Sequence, residues 1–281
     1  MRRAGRQNTV MRPARYTFFP REHGAVAMLL TPFVAAAVLA RTLRWQEAAA
    51  VLAIVAAFAM KDPLVVLARQ RRVWKQPHPE TPAAVRWAAA EAVVIAVCGL
   101  ALGVTGPWIA YAVLFGGAAA FAALAVWVNV RNRQRAALFQ VASALALTST
   151  SLTAALAATR TIPLWCWRLW LLLAVQAAAG IFTVHARLEA RIAGGAERVD
   201  KTASRRPALA FGVLLGLSGV TAVAAGNYWI GGALLFTAVA YAVDLRQQLH
   251  PKSLRTPLTT VGIRTLSFSL IYAAMVVVGL W

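Results

Sequence analysis

The chain has 281 residues, of which 60% are hydrophobic and 14% are charged, and its mean hydropathy is +0.64. Soluble domains carry about 25% charged residues, so this composition excludes an ordinary soluble protein and favours a multi-pass membrane protein. The net charge of +20 would suggest nucleic-acid binding in a soluble protein. Here the basic residues lie mainly between apolar segments, as in cytoplasmic loops, and we expect no nucleic-acid partner.

The apolar segments predict nine membrane-spanning helices. Each is close to the roughly 20 residues that a helix needs to cross the hydrocarbon core of a bilayer. Gly106–Pro107 and Gly226–Asn227 are turn signals between uncharged segments, so we expect tight antiparallel hairpins at both places. The predicted spans are 24–40, 47–68, 84–104, 108–128, 136–158, 164–186, 207–225, 228–244 and 261–280.

The distribution of basic residues predicts the orientation of these spans. Of the 29 lysines and arginines, 24 fall on one side of the predicted bundle and four on the other, and Lys61 lies within a span. Cytoplasmic loops carry the excess of basic residues, so we expect a cytoplasmic N-terminus and an external C-terminus. Residues 1–22 then form a basic cytoplasmic tail, and residues 23–281 form a single transmembrane domain of the all-α class.

An ionisable pair lies inside the second predicted span. Lys61 and Asp62 precede Pro63, and a charged side chain at mid-span costs about 2.5–3.5 kcal/mol on insertion scales. Proline removes a backbone donor and loosens the helix, which suits a ligand cavity, and Asp62 is therefore a candidate site residue. The alternative is a local ion pair between Lys61 and Asp62 at a kink. Glu91, in the third span, is a second candidate for a buried charge.

Other polar residues converge on the predicted cytoplasmic face. Each is a candidate site residue, and the alternative for each is an interfacial anchor or a salt-bridge partner. Two histidines of this set could also ligate a haem iron. The residues are Arg21, Glu22 and His23 before the first span, His185 and Glu189 on one face at the end of the sixth, Asp244 at the end of the eighth and Arg264 at the start of the ninth.

Two patterns predict helix packing. The GxxxG spacings at Gly99/Gly103 and Gly212/Gly216 predict close helix contacts within the bundle. The fifth span is rich in hydroxyl side chains between residues 143 and 153. These side chains could hydrogen-bond across helices or line a polar cavity, and we favour the first interpretation, helix packing.

The motif PREHGA at residues 20–25, followed by LLTPF at 29–33, resembles the opening of the YwiC-like family of bacterial membrane proteins. The sequence GIR at 262–264, which leads into the last predicted span, is also similar. The resemblance covers nearly the whole layout of spans. It implies a multi-pass protein of the bacterial cytoplasmic membrane and brings no established activity with it.

A more distant resemblance is to the UbiA superfamily of intramembrane prenyltransferases, which implies a nine-helix bundle with a cytoplasm-facing site built from Asp-rich motifs. Asp62 aligns with the first motif, but Val65 and Arg69 stand where further aspartates belong. His185 and Glu189 match the second motif loosely. The resemblance implies Mg²⁺ if a diphosphate is bound, since Mg²⁺ takes oxygen ligands.

Three functions follow as hypotheses. The first is a UbiA-like protein that binds an isoprenoid or another lipid at a cytoplasm-facing cavity, as a divergent prenyltransferase. The second is a non-catalytic lipid- or quinone-binding accessory subunit of a membrane complex, and the third is a transporter. The predicted catalytic residues are Asp62, His185 and Glu189, and the predicted substrate-binding residues are Arg21, His23, Lys61, Arg69, Arg131 and Arg187.

Overall fold

The computed structural model describes residues 23–76, 78–133, 136–193 and 203–281, and all regular structure in these ranges is helical. The predicted tail 1–22, with Arg21, lies outside the described residues. The helices are α1 (His23–Ala40), α2 (Trp45–Ala59), α3 (Lys61–Arg69), a π-helical turn (Gln70–Trp74), α4 (Thr81–Thr105), α5 (Trp108–Val130), α6 (Ala137–Thr148), α7 (Thr150–Thr159), α8 (Leu164–Ala193), α9 (Arg205–Ala224), α10 (Tyr228–Gln247), α11 (Pro251–Leu254) and α12 (Leu258–Leu280).

Most of these helices have the length and composition of membrane spans, which confirms an all-α polytopic membrane protein. Eight helical segments in the described part of the chain are long and apolar enough to cross a bilayer. Two of these segments consist of consecutive shorter helices. The segment Trp45–Trp74 contains α2, α3 and the π-helical turn, and the segment Ala137–Thr159 contains α6 and α7. The first predicted span, Gly24–Ala40, is an apolar helix of shorter length.

The two predicted hairpins are present. Gly106 and Pro107 separate α4 from α5, and α9 is followed by Gly226 and Asn227 before α10 begins. Gly226 has a φ of +82°, in the left-handed region where glycine meets no steric penalty. The Asn227 amide donates to the Ala222 carbonyl at 2.8 Å, which satisfies one of the last carbonyls of α9.

Side-chain contacts show which helix ends lie together. The Arg41 guanidinium stacks on the Trp281 ring at 4.0 Å, so the C-terminal ends of α1 and α12 share one end of the bundle. At the other end, Arg69 at the end of α3 donates to the Asn129 side chain at 3.0 Å. His185 near the end of α8 contacts Gln140 at the start of α6 at 3.0 Å. We call this second end, which carries most of the basic residues, the basic end.

Helix α8 lies at the centre of the bundle, and α4 and α5 lie at its edge. The α8 span is the most buried of the described spans, whereas α5 is the least buried. Helix α8 packs against α6, α7, α9, α10 and α12. Polar side chains on the buried face of α8 are therefore removed from lipid, and their partners come from the helices around it.

The close helix contacts do not occur at the predicted GxxxG glycines. A methyl group added at Gly99 or Gly212 would meet no atom within 4 Å, and one added at Gly103 or Gly216 would lie 4.0 Å from Trp108 or 3.9 Å from Ala238, so neither pair forms a tight contact. The tight contact lies in the α9–α10 hairpin, where a methyl on Gly231 would lie 2.8 Å from the Gly219 carbonyl oxygen. One glycine of each GxxxG pair thus faces open space and the other makes only an ordinary contact, and sequence spacing alone does not reveal that.

The hydroxyl-rich span behaves as predicted and supports packing. The Thr150 hydroxyl donates to the Leu29 carbonyl of α1 at 2.7 Å, and it thereby links two helices. Neighbouring hydroxyls bond carbonyls of their own helix, as Ser149 does to Ala146 at 2.7 Å. Their polar atoms are satisfied locally, which is how hydroxyl groups are accommodated in a span.

Candidate functional site

Helix α8 carries one buried polar face along its length. Gln176, Gly180, Thr183 and Arg187 recur at helical spacing, and all four are buried. Residues four and seven apart lie on one face of a helix. This face meets α10 and α12, which pack on α8.

Asp244 of α10 joins three side chains at the basic end of this face. Its Oδ1 atom accepts from the Arg187 Nη2 group at 2.7 Å and also from the Arg264 Nη2 group. Its Oδ2 atom accepts from the Gln248 amide at 2.9 Å. Arg187 is 1% exposed and Asp244 is 7% exposed, so the carboxylate sits in a desolvated site with both oxygens hydrogen-bonded.

The arginines of α8 also hold the connection between α10 and α12. Arg187 Nη1 donates to the Ser253 carbonyl at 3.0 Å, and Arg191, one turn later, donates to the Thr256 carbonyl. Cations near exposed carbonyl groups are favourable because those oxygens carry partial negative charge. The connection is thereby fixed over the basic ends of the three helices.

The cluster carries an excess of positive charge. Arg187 and Arg264 share one carboxylate, that of Asp244, so this trio has one net positive charge. The Nε atom of Arg187 is buried and has no hydrogen-bond partner among the described residues. Buried charges are ordinarily balanced by partners, and the cluster therefore has a capacity for an anion.

An apolar cleft runs from this cluster between α10 and α12. Its volume is about 300 Å³, at the lower end of the range for small-molecule sites. Asp244, Gln247 and Arg264 form its polar end, and the Arg264 side chain is 37% exposed there. The remaining lining residues are Phe236, Val239, Ala240, Val243 and Phe268.

A hydrogen-bonded network continues from the cluster toward the middle of the bundle. The Gln176 amide on α8 donates to the Tyr241 hydroxyl of α10 and to the Ser269 hydroxyl of α12, both at 2.9 Å. Gly180 makes room for this network, because a methyl group there would lie 2.8 Å from the Tyr241 hydroxyl oxygen. The polar interface thus ties α8, α10 and α12 together behind the cleft.

The predicted pair Lys61 and Asp62 lies in another part of the bundle, on α3, which packs on α4 and α5. The Lys61 ammonium lies 3.8 Å from the Asp62 carboxylate, consistent with the local ion pair. Glu91 of α4 is 7% exposed and lies within electrostatic range of Asp62. Lys61, Asp62 and Glu91 therefore lie near one another where α3 packs on α4, and a ligand-binding role for Asp62 stays a prediction.

The other two predicted catalytic residues are engaged in helix contacts. The His185 Nε2 atom lies 3.0 Å from the Gln140 Oε1 atom of α6. The Glu189 carboxylate accepts from the Ser204 amide at 2.9 Å and from its hydroxyl, just before α9 begins. The structure thus places His185 and Glu189 on α8, near Arg187, and Asp62 on a helix with different neighbours.

Of the predicted substrate-binding residues, Arg187 belongs to the cluster described above. Arg69 donates to Asn129 and Asn132 and so links the end of α3 to the end of α5. Arg131 is exposed and stacks on the Trp127 ring at 4.2 Å. Arg21 lies outside the described residues, and the His23 side chain does too, so the proposed haem pair is not tested.

Sequence reasoning placed Asp244 and Arg264 on the correct end of the bundle without joining them to Arg187. It overlooked the amide and hydroxyl partners Gln176, Tyr241 and Gln248. A signal was available in α10, where Tyr241, Asp244 and Gln248 are spaced by three and four residues and so share a helix face.

A prenyltransferase site would hold Mg²⁺ on carboxylates. Within the described ranges, no group of three or more His, Cys, Asp or Glu side chains comes together. The acidic residues present there do not fit such a centre.

Residues 19–157 match the model of the YwiC-like protein family; this range is just under half of the chain and runs from before α1 into α7. The Arg187–Asp244–Arg264 cluster lies beyond the matched residues. No curated protein matches the chain, and no solved structure does either. Over residues 19–157, the chain is therefore similar to the YwiC-like protein family.

Proposed function

We propose that this integral membrane protein binds an isoprenoid, a quinone or another amphipathic lipid in the cleft between α10 and α12. The observation that supports the proposal is the gradient of polarity along the cleft. The walls of the cleft are aliphatic and aromatic. Where the cleft reaches the basic end of the bundle, it is lined by the polar residues Arg264, Gln247 and Asp244. An amphipathic molecule matches that gradient, with its tail along the walls and its head group against Arg264.

The position of the cleft suits a ligand that arrives from the membrane. Val239 and Val243 line it and are 61% and 48% exposed, so its apolar side opens on the surface that faces lipid. Phe236 and Phe268, which also line it, meet edge to face at 5.6 Å. In a bacterial cytoplasmic membrane oriented by the positive-inside rule, the polar end would face the cytoplasm.

We favour binding without catalysis over prenyl transfer. His185 and Glu189, which would act on a substrate in the transferase hypothesis, make hydrogen bonds to Gln140 and Ser204. Asp244 is held by two arginines and Gln248, which gives it a positioning role toward Arg264. This supports the lipid- or quinone-binding accessory protein, whose membrane partner would be a further subunit.

The proposal is tested by blocking the cleft. Val239→Trp places an indole in the opening without burying a polar group, and we expect it to abolish co-purification of a stoichiometric lipid. Val220→Trp is the matched control, because Val220 of α9 is similarly exposed at 58% and does not line the cleft. Mass spectrometry of lipids extracted from protein purified in mild detergent measures the difference.

Wild type and Val220→Trp should each carry the same lipid at about one molecule per chain, and Val239→Trp should lack it. Equal amounts of that lipid in all three proteins would contradict the proposal. A lipid that remains bound to Val239→Trp but is lost from Asp62→Asn would instead favour the predicted site on α3.

A further inference from the structure

We propose that the head group held at the polar end of the cleft is a phosphate, so that the ligand is a lipid phosphate and not a neutral isoprenoid alcohol or quinone. The inference rests on the proposed function, since it names the ligand class of the same cleft. Three observations carry it: the charge of the cluster, the donors that Arg264 has in reserve, and the position of Arg264 at the cleft.

The charge around the polar end favours an anionic head group. Arg187 and Arg264 bring two positive charges, and Asp244 brings one negative charge within hydrogen bonds of both. A phosphate monoester, with a charge of about −1.5 to −2 at neutral pH, supplies the negative charge that this excess of one positive charge lacks. Glu189, the nearest acidic side chain along α8, accepts from Ser204 at the start of α9.

Arg264 has donors left for a ligand. A guanidinium offers five N–H groups, and within the described part of the chain Arg264 gives one bond to Gln247 and one to Asp244. These two bonds fix the plane of the group while its side chain stays 37% exposed at the cleft. A planar guanidinium recognises phosphate through paired hydrogen bonds.

Asp244 orients Arg264 instead of cancelling the positive charge of the site. Its carboxylate is 7% exposed and accepts from Arg187 and Gln248 as well as Arg264. A neutral head group would leave the excess charge uncompensated in a largely apolar surrounding, which is unfavourable. An anionic head group removes that cost and makes charge-assisted hydrogen bonds.

The test compares three probes that separate the tail from the phosphate: farnesyl phosphate, farnesol and inorganic phosphate. Native mass spectrometry of the full chain in neutral detergent measures the fraction of protein bound to each. We expect wild type to prefer farnesyl phosphate over farnesol by about tenfold or more, the size of one charge-assisted contact. Inorganic phosphate should bind far more weakly than farnesyl phosphate.

Arg264→Gln should keep farnesol binding and lose the preference for the phosphate, to within about twofold. Arg264→Lys keeps the positive charge and should still prefer farnesyl phosphate over farnesol by several-fold. That result would show that the loss in Arg264→Gln comes from the missing charge and not from a general loss of structure. Arg246→Gln is the matched control, since Arg246 is an exposed arginine on the last turn of α10 that does not line the cleft. It should behave as wild type.

The outcomes separate the two proposals. Equal binding of farnesol and farnesyl phosphate by wild type, or an unchanged preference in Arg264→Gln, overturns the phosphate assignment and leaves the cleft as a lipid site. Tight binding of inorganic phosphate that Val239→Trp does not affect overturns the lipid source of the phosphate. If Val239→Trp binds both farnesyl compounds as wild type does, the proposed function itself fails.

Discussion

Replacing Asp244 with asparagine is expected to lower the free energy of unfolding by about 3–5 kcal/mol, because it removes the one carboxylate shared by two guanidinium groups. Arg187 is 1% exposed and Asp244 is 7% exposed, so water does not take the place of the lost charge. The asparagine side chain still offers one acceptor oxygen, but it cannot balance either cation. Reversible unfolding in mixed micelles, followed by circular dichroism, measures the loss.

Glu80→Gln is the control for this prediction. Glu80 lies at the same end of the bundle, directly before α4, and its side chain is 32% exposed beside His78. Exposed ion pairs contribute about 0–1 kcal/mol, so this variant should unfold close to wild type. A loss for Asp244→Asn that is no larger than that of Glu80→Gln would show that the cluster is not a buried, desolvated network.

Gly231→Ala is expected to destabilise the α9–α10 hairpin by about 1–3 kcal/mol, the typical cost of overpacking. The added methyl would lie 2.5 Å from the Val223 Cγ2 atom and 2.8 Å from the Gly219 carbonyl oxygen. Two of its three nearest atoms are backbone atoms, so α9 and α10 must move apart. The same unfolding titration in mixed micelles measures this loss.

Gly212→Ala is the matched control on the neighbouring helix. A methyl group at Gly212 would meet no atom within 4 Å, and alanine has a higher helix propensity than glycine by up to about 1 kcal/mol. This variant should be neutral or slightly more stable than wild type. If Gly212→Ala proves as destabilising as Gly231→Ala, the packing of α9 described above is wrong.

The spans and hairpins could be predicted from the sequence because hydropathy and turn residues are local properties. A run of about 20 apolar residues must form a helix in lipid, where backbone groups have no other partners. The linkers at Gly106 and Gly226 are short and uncharged, so the helices on either side of each linker can only form an antiparallel hairpin. The helix breaks at Met60 and Ser149 each lie inside a single continuous span, so the order of the predicted spans along the chain is unchanged.

The site could be predicted only in part, because it depends on pairings between distant segments. Arg187 is 57 residues from Asp244, and Asp244 is 20 residues from Arg264. The basic-residue pattern placed all three at one end of the bundle. Which helices pack on α8 is decided by the fit of side chains across three interfaces, and no local pattern encodes that fit.

The GxxxG pairs also show that a local sequence pattern does not determine which helix faces pack together. Small residues permit a close helix contact but do not require one. Gly212 has open space around it, whereas Gly219 and Gly231, which belong to no predicted pair, face each other. The face that a helix turns toward its neighbour therefore decides which glycines matter.

Photocrosslinking tests the central claim, that a lipid occupies the cleft between α10 and α12, most directly. The protein in its membrane would be irradiated with a diazirine-bearing farnesyl phosphate, and adducts would be mapped by peptide mass spectrometry. The account predicts adducts concentrated on Phe236, Val239, Val243 and Phe268, and their loss in the presence of excess unlabelled farnesyl phosphate. Adducts spread evenly over the lipid-facing surfaces of α4 and α5, or unaffected by the competitor, would contradict it.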